Sequence, residues 1–222
     1  MPGLSGRSHI VTFASPLFAA TPLTRTSSIA LTSFEISVPS LSVNPAAIEL
    51  ILKHPDKINW NLLCKNPEAI HILKANPDKI NWDILCMYTT DIQFLEENYD
   101  KIVWDTLSRN PNAIDLLTRN QDKIDWENLS CNSAAASLLQ QNFDKVDLYL
   151  LAMNINTVDI LKEHIEHIYW YALQANENIA AIELLREKQD VIDWTKLSLN
   201  KAIFKVVDKT FDIKKMVEII LS

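Results

Sequence analysis

Glycine is almost absent from this chain of 222 residues: there are two, Gly3 and Gly6, and none follows. That removes the glycine-rich loop that cradles phosphates and the G-x-S-x-G turn that exposes a nucleophile. The tail does read Gly-Leu-Ser-Gly, but no strand–turn–helix pattern follows it. Cysteine is scarce, with three residues and no Cys-x-x-Cys pair. No uninterrupted apolar run approaches the ~18 residues of a membrane-spanning helix. Positive charge is also in deficit, the net charge being −7. Residues 1–43 hold two of the 21 basic and one of the 28 acidic residues, so the remainder carries 19 basic against 27 acidic, a net −8. A body this acidic does not suit a phosphate-backbone partner, so no nucleic-acid partner is expected.

What the chain has in abundance is repetition. Trp60, Trp82, Trp104 and Trp126 are spaced 22 residues apart, Leu148 takes the next position, Trp170 follows on schedule and Trp194 comes two residues late. A fixed period of this length marks a tandem-repeat protein. Numbering each unit from its opening residue, slot 1 is Asn44, Asn66, Tyr88, Asn110, Asn132, Asn154 and Asn176. Slot 2 is Pro in three units (Pro45, Pro67, Pro111), slot 8 is Ile51 and then Leu six times, and slot 20 is Leu in all seven, from Leu63 to Leu197. Asn followed by Pro is a helix start: Asn accepts a bond from a free backbone N–H, and Pro supplies no N–H where none is needed.

Slots 4, 5, 7 and 8 are apolar, as in Ala69, Ile70, Ile72 and Leu73, which predicts a first helix over slots 2–10. Asn at slot 11 (Asn76, Asn98, Asn120, Asn142) is expected to end it in the left-handed conformation, with Pro55 or Pro77 blocking continuation. A shorter second helix, in part 3₁₀, should carry Trp at slot 17 and Leu at slot 20 on one face. Slot 16 (Asn59, Asn81, Asp125, Asp147, Asp193) is its expected N-cap. A cap at the slot 13 Asp is the competing reading. Slot 16 is preferred because Pro39 falls at slot 18 of a leading half-unit, which a first helical turn tolerates and a helix interior does not.

One such unit cannot bury both its Ile/Leu face and its Trp, whereas stacked copies cover one another. The expected fold is an all-α solenoid of seven units over 44–199, with slots 5, 8, 15, 17 and 20 buried throughout. Residues 34–43 read as a worn half-unit capping the N-terminal end, and 200–222 as C-terminal capping helices with Ile213, Met216, Val217 and Ile220 on one face. Residues 1–33 are rich in Ser and Thr and free of acid, which predicts a disordered tail or, in second place, a targeting segment. Cys64 and Cys86 share slot 21 of adjacent units. Helices in contact lie about 8–10 Å apart, beyond the ~7 Å that a disulfide spans, so free thiols and a reducing, cytoplasmic setting are expected.

Candidate chemistry is thin. The Trp row could stack bases or sugars, but its place a helical turn from an unvarying Leu reads as core. Asp–Lys at slots 13 and 14, from Asp56–Lys57 to Asp144–Lys145, could form a docking strip and reads more simply as a turn with weak surface pairs. His164 and His167, beside Glu163 and Glu166, have a spacing that could hold a metal or serve a metal-dependent enzyme. They stand where other units have Asn and Lys, and drift of the repeat is the preferred reading, so no cofactor and no catalytic residue is assigned.

The remaining variety lies at slots 6 and 10, on the outer arc of the first helices. Glu49, His71, Gln93, Asp115, Asp159 and Glu183 hold slot 6, and Glu97, Arg119, Glu163 and Glu187 hold slot 10. Polar residues that differ from unit to unit fit a face read by a protein partner, so a non-catalytic, monomeric interaction scaffold is the expected function. A helical repeat reading one base per unit is the alternative class.

Asn-Pro-x-Ala-Ile-x-Leu-Leu at 110–117, followed by Asp-Lys-Ile-x-Trp-x-x-Leu-Ser at 122–130, resembles a short repeat found in many predicted proteins of large nucleocytoplasmic DNA viruses of protists and algae. The resemblance covers about residues 36–212. It implies a helical repeat body in a host-cell cytoplasm and offers no catalytic residues to carry over. A weaker similarity links the helix pairs to leucine-rich-repeat-variant solenoids.

Overall fold

The computed structural model describes residues 41–204, all within the unit Ile36–Ser222. The tail at 1–33, most of the leading half-unit and the helix expected near the C-terminus lie outside the described residues. The described residues form seven helix pairs and contain no strand. The pairs are α1 (Ile48–Leu52) and α2 (Trp60–Leu63), α3 (Ile70–Ala75) and α4 (Trp82–Tyr88), α5 (Ile92–Glu97) and α6 (Trp104–Leu107), α7 (Ile114–Thr118) and α8 (Trp126–Ser130), α9 (Ala136–Gln141) and α10 (Leu148–Met153), α11 (Val158–Glu163) and α12 (Trp170–Leu173), α13 (Ile179–Glu187) and α14 (Trp194–Leu197). This is the all-α solenoid that the 22-residue period predicts.

The local rules act as short segments. The Asn-Pro start opens a 3₁₀ turn over slots 2–4, such as Pro67–Ala69, and the α-helix proper begins at slot 5. A second 3₁₀ turn over slots 12–14, such as Pro77–Lys79, separates the two helices. The second helix is capped at slot 16: the side chains of Asn59, Asn81, Asp125, Asp147 and Asp193 each accept from the N–H three residues on. The slot 13 Asp lies inside the 3₁₀ turn, so the longer second helix does not form.

One backbone expectation is corrected. The slot 11 Asn is not left-handed: Asn76, Asn98, Asn120 and Asn142 have φ between −134° and −122°. Each ends its helix by donating from Nδ2 to the slot 7 carbonyl four residues back, at 2.8–3.0 Å. The short amide satisfies an end carbonyl directly, so no positive φ is needed.

Burial also differs from expectation in part. Slots 8 and 20 are buried in every unit, and Leu63, Leu107, Leu129, Leu151, Leu173 and Leu197 are wholly inaccessible. Slots 4 and 7 join them in most units, with Ala69, Ala113 and Ala135 inaccessible and Ile72, Phe94, Leu116, Leu138, Ile160 and Leu184 buried, while Asp91 is half-buried and Leu50 exposed. Slot 5 is half-buried in its first five units, from Ile48 to Ala136, and slot 15 is mixed. Among the tryptophans only Trp194 is fully buried, the other five being half-buried against the core. A first helix of five or six residues has room to turn only one narrow face fully inward.

The interior is held by a polar spine that the slot pattern alone had cast as simple caps. Asn132 Nδ2 donates to the carbonyls of Ser108 and Asn110, at 2.9 and 3.0 Å, while its Oδ1 accepts from the Ala134 N–H at 3.0 Å. Asn154, Asn176 and Asn200 repeat this on the slot 1 carbonyl of the unit before and the slot 21 carbonyl of the unit before that. The amide supplies two donors and one acceptor at a single buried point, which no other short neutral side chain does. Tyr88 interrupts the ladder. There α4 runs on to Tyr88, and Asn110 keeps the slot 21 carbonyl of Cys86 but reaches that of Thr89 in place of the slot 1 carbonyl, both at 2.9 Å. A Lys74–Asp91 pair at 2.7 Å ties units two and three beside the break.

Slot 21 carries a second tie. The hydroxyls of Ser42, Ser108 and Ser130 accept from the slot 16 N–H of the following unit at 3.0–3.1 Å. Cys86 Sγ takes the same role toward Val103 at 3.4 Å. Gln174, longer by two carbons, accepts from Asp193 at 2.8 Å across the two-residue insertion. That insertion is absorbed by α13, which starts early and is capped by Asn178. Ser42 confirms that the leading half-unit keeps the repeat register at its end: its carbonyl accepts from Asn66 at 3.1 Å.

Candidate functional site

Slot 14 and slot 17 of neighbouring units meet. Lys123 Nζ sits 5.0 Å from the ring centre of Trp104, and Lys145 Nζ 4.8 Å from that of Trp126, so each Lys covers the Trp of the unit before. Such contacts are worth about 0.5–1 kcal/mol at exposed sites. Other slot 14 lysines pair with the Asp beside them, Lys79 with Asp78 at 3.1 Å and Lys101 with Asp100 at 2.9 Å. These bonds hold both carboxyls below the usual carboxylate range, but the pairs are exposed and contribute little.

Between units five and six both partners change at once. Leu148 replaces the Trp and His167 replaces the Lys. A hollow of about 470 Å³ lies at this contact, lined by Leu148, Glu166, His167, Ile168, Tyr169, Trp170 and Tyr171. It is an open groove between the second helices and the turn before α12. Tyr169 and Tyr171 are 53% and 57% exposed, more than any other aromatic residue described, and Tyr149 adds an edge-on contact to Tyr169 at 6.2 Å. Slot 18, which brings Tyr149 and Tyr171, holds Asn61, Asp83, Asp105 and Glu127 in the first four units. Lys196 from unit seven lies over Tyr171, 3.4 Å from the ring centre, and donates to its carbonyl at 2.9 Å.

The turn that borders this groove holds the histidines. His164 and His167 lie at the two ends of the 3₁₀ turn Ile165–His167, joined by a backbone bond of 2.9 Å from the His167 N–H to the His164 carbonyl. The ligand atoms of His164, Glu166 and His167 all lie within 4.8 Å of one another. Glu163, grouped with them on sequence, does not belong: its carboxylate accepts from Gln140 at 3.0 Å.

The slot 6 and slot 10 residues (Glu49, His71, Gln93, Glu97, Asp115, Arg119, Asp159, Glu163, Glu183 and Glu187) are all exposed. Several are tied to neighbours: Gln93 to Glu97 at 2.9 Å, Asp159 to Lys162 at 3.0 Å, and Arg119 to Glu96 of the unit before. The face is therefore a partly self-paired polar surface. A shallow hollow of about 530 Å³ beside Glu183, Arg186, Glu187 and Gln189 lies at its far end.

The cysteines are free, as the slot spacing predicts. Burial pushes the Cys64 and Cys86 thiols up, which keeps them protonated and unreactive at neutral pH, whereas Cys131 is exposed. No helix among the described residues is long and apolar enough to cross a membrane.

The fold and this surface define the class: an α-solenoid of short tandem repeats whose interior is copied from unit to unit and whose surface is not. No family model, curated protein or solved structure matches the chain.

Proposed function

We propose that the chain is a non-catalytic interaction scaffold, and that the groove at units five and six receives a segment of a protein partner. The observation that carries this is the concentration of three exposed tyrosines, Tyr149, Tyr169 and Tyr171, around one open groove. Tyrosines anchor interfaces because they bury a large rigid area and keep a polar tip. The partner segment offers an apolar side chain to the tyrosines and positive charge to Glu166, in keeping with the acidity of the body. The slot 6 and slot 10 row is the weaker candidate, since several of its side chains are already paired, with one another or with adjoining slot 9 residues. The resemblance to the viral repeat supports a setting in the cytoplasm of an infected host cell.

Capture from the native cell with the full chain tests this. Tyr169→Ala with Tyr171→Ala should abolish recovery of a partner, while charge reversal at Glu97, Arg119 and Glu163 should leave it largely intact. The opposite outcome moves the partner to the slot 6 and slot 10 face. Salt-sensitive binding of DNA or RNA would overturn the protein-partner reading altogether.

A further inference from the structure

We propose that His164, Glu166 and His167 bind one divalent transition-metal ion of the zinc class. Glu166 and His167 also line the partner groove, but the proposal does not need a partner to occupy it. Three slots of one turn depart together from the repeat: slot 11 is Asn in the four preceding units, slot 13 is Asp in the five preceding units and slot 14 is Lys in those five, yet here they are His, Glu and His. The departures bring three ligand-type atoms within 4.8 Å of one another.

His167 Nδ1 and Glu166 Oε1 already stand 3.2 Å apart. Two ligands on a tetrahedral ion with bonds of about 2.0–2.1 Å lie about 3.3 Å apart, so this pair is at coordination distance without movement. His164 is held as well. The Asn usual at its slot bonds to its own helix, whereas the His164 imidazole stacks on Phe143 of unit five, 3.7 Å between centres and 10° from parallel. Stacking fixes the ring plane and leaves the nitrogens at its edge. His167 meets the same Phe143 edge-on at 5.9 Å. One aromatic ring of the neighbouring unit thus steadies both histidines, which lowers the cost of gathering them around an ion.

Two imidazoles and a carboxylate select the ion. This donor set suits Zn²⁺, Ni²⁺ or Cu²⁺, while Ca²⁺ and Mg²⁺ require shells made of oxygen. Three protein ligands leave a fourth position to water.

The test is calorimetric titration of the metal-free full chain with Zn²⁺, alongside the absorption spectrum of the Co²⁺ form. The expected result is one ion per chain with micromolar affinity, intense Co²⁺ bands near tetrahedral geometry, and no response to Mg²⁺ or Ca²⁺. His164→Asn and His167→Lys restore the residues that other units carry, so the turn should still fold, and each should weaken Zn²⁺ at least tenfold. Glu166→Gln should weaken it by a smaller factor. His54→Ala and His71→Ala should change nothing, because neither histidine belongs to a ligand cluster. Absence of a one-to-one Zn²⁺ isotherm, or binding that survives H164N and H167K, overturns the proposal.

Discussion

Unit four and unit six share an interior and differ in their surface. Asn110 and Asn154 both bond the two preceding units, Leu117 and Leu161 fill slot 8, and Leu129 and Leu173 fill slot 20 with no accessible area. On the outside, Asn120, Asp122, Lys123, Asp125 and Glu127 of unit four correspond to His164, Glu166, His167, Tyr169 and Tyr171 of unit six. The helices keep the same slots despite this. The lesson is that neighbour-to-neighbour contacts specify the stack, so the turn and slot 18 are released to carry chemistry.

If the comparison is sound, interior damage should cost the same in both units. Leu129→Ala and Leu173→Ala should each destabilise the chain by about 3–4 kcal/mol, since both empty a fully buried site. Denaturant unfolding measures this, and a nearly neutral Leu173→Ala would mean that the interior of unit six has relaxed along with its surface.

The spine should come next. Asn132→Ala and Asn176→Ala each remove two buried hydrogen bonds, for a loss of about 2–3 kcal/mol apiece. The slot 21 carbonyl is left without its Asn donor, while the slot 1 carbonyl keeps a turn bond, from the Ala113 N–H at 3.1 Å or the Thr157 N–H at 3.3 Å. Asn132→Asp should be no better at neutral pH, because a carboxylate cannot donate to either carbonyl. Equal stability of Asn132→Asp and the parent would refute the bonding described for this ladder.

Slot 21 offers a test in both directions. Ser130→Ala removes the acceptor of the Asp147 N–H and should cost about 1–2 kcal/mol. Ala152 is the natural counterpart that lacks a hydroxyl, so Ala152→Ser should gain about 0.5–1 kcal/mol by accepting from Tyr169. A loss on Ala152→Ser would show that unit six has repacked against the smaller side chain.

Exchanging the five surface residues of unit six for those of unit four should alter stability by less than about 1 kcal/mol. The exchanged chain should keep its far-ultraviolet circular dichroism and lose both partner capture and Zn²⁺ binding. Unfolding of the exchanged chain would break the separation of interior from surface.

The smallest effect concerns pH. The hydrogen bond from Lys74 holds the Asp91 carboxyl below its ordinary value, with the Phe94 N–H lowering it further. A depressed carboxylate adds stability above its unfolded pKa and loses it as pH falls through the folded value. Below about pH 4 the parent should therefore lose a few tenths of a kcal/mol that Asp91→Asn does not lose, the pair being partly exposed and screened. Parallel urea titrations at about pH 6 and pH 3 measure the difference.

The reading of His164 and His167 shows where sequence ran short. Their spacing is visible, but their shared contact with Phe143 joins residues 21 and 24 apart in the chain and exists only once units stack. The groove was hidden for the same reason. Leu148 looked like a worn Trp, and only the packing of slot 14 on slot 17 shows that His167 changed alongside it. Tyr169 and Tyr171 carry a usable signal in the sequence, as departures from the mostly polar residues of slots 16 and 18.

The sequence by itself determined the period, the helix pairs, the slot 16 caps and the burial of slots 8 and 20. Those follow from side-chain size and hydrogen bonding within a few residues, which a repeated pattern displays seven times over. Tertiary structure decided what the repeated asparagine does. A cap and a ladder rung use the same residue at the same slot, and only stacking brings carbonyls of the two preceding units within 3.0 Å of Asn132 Nδ2. It also decided which exposed residues converge, because convergence is a distance in space between units and leaves no period in the chain.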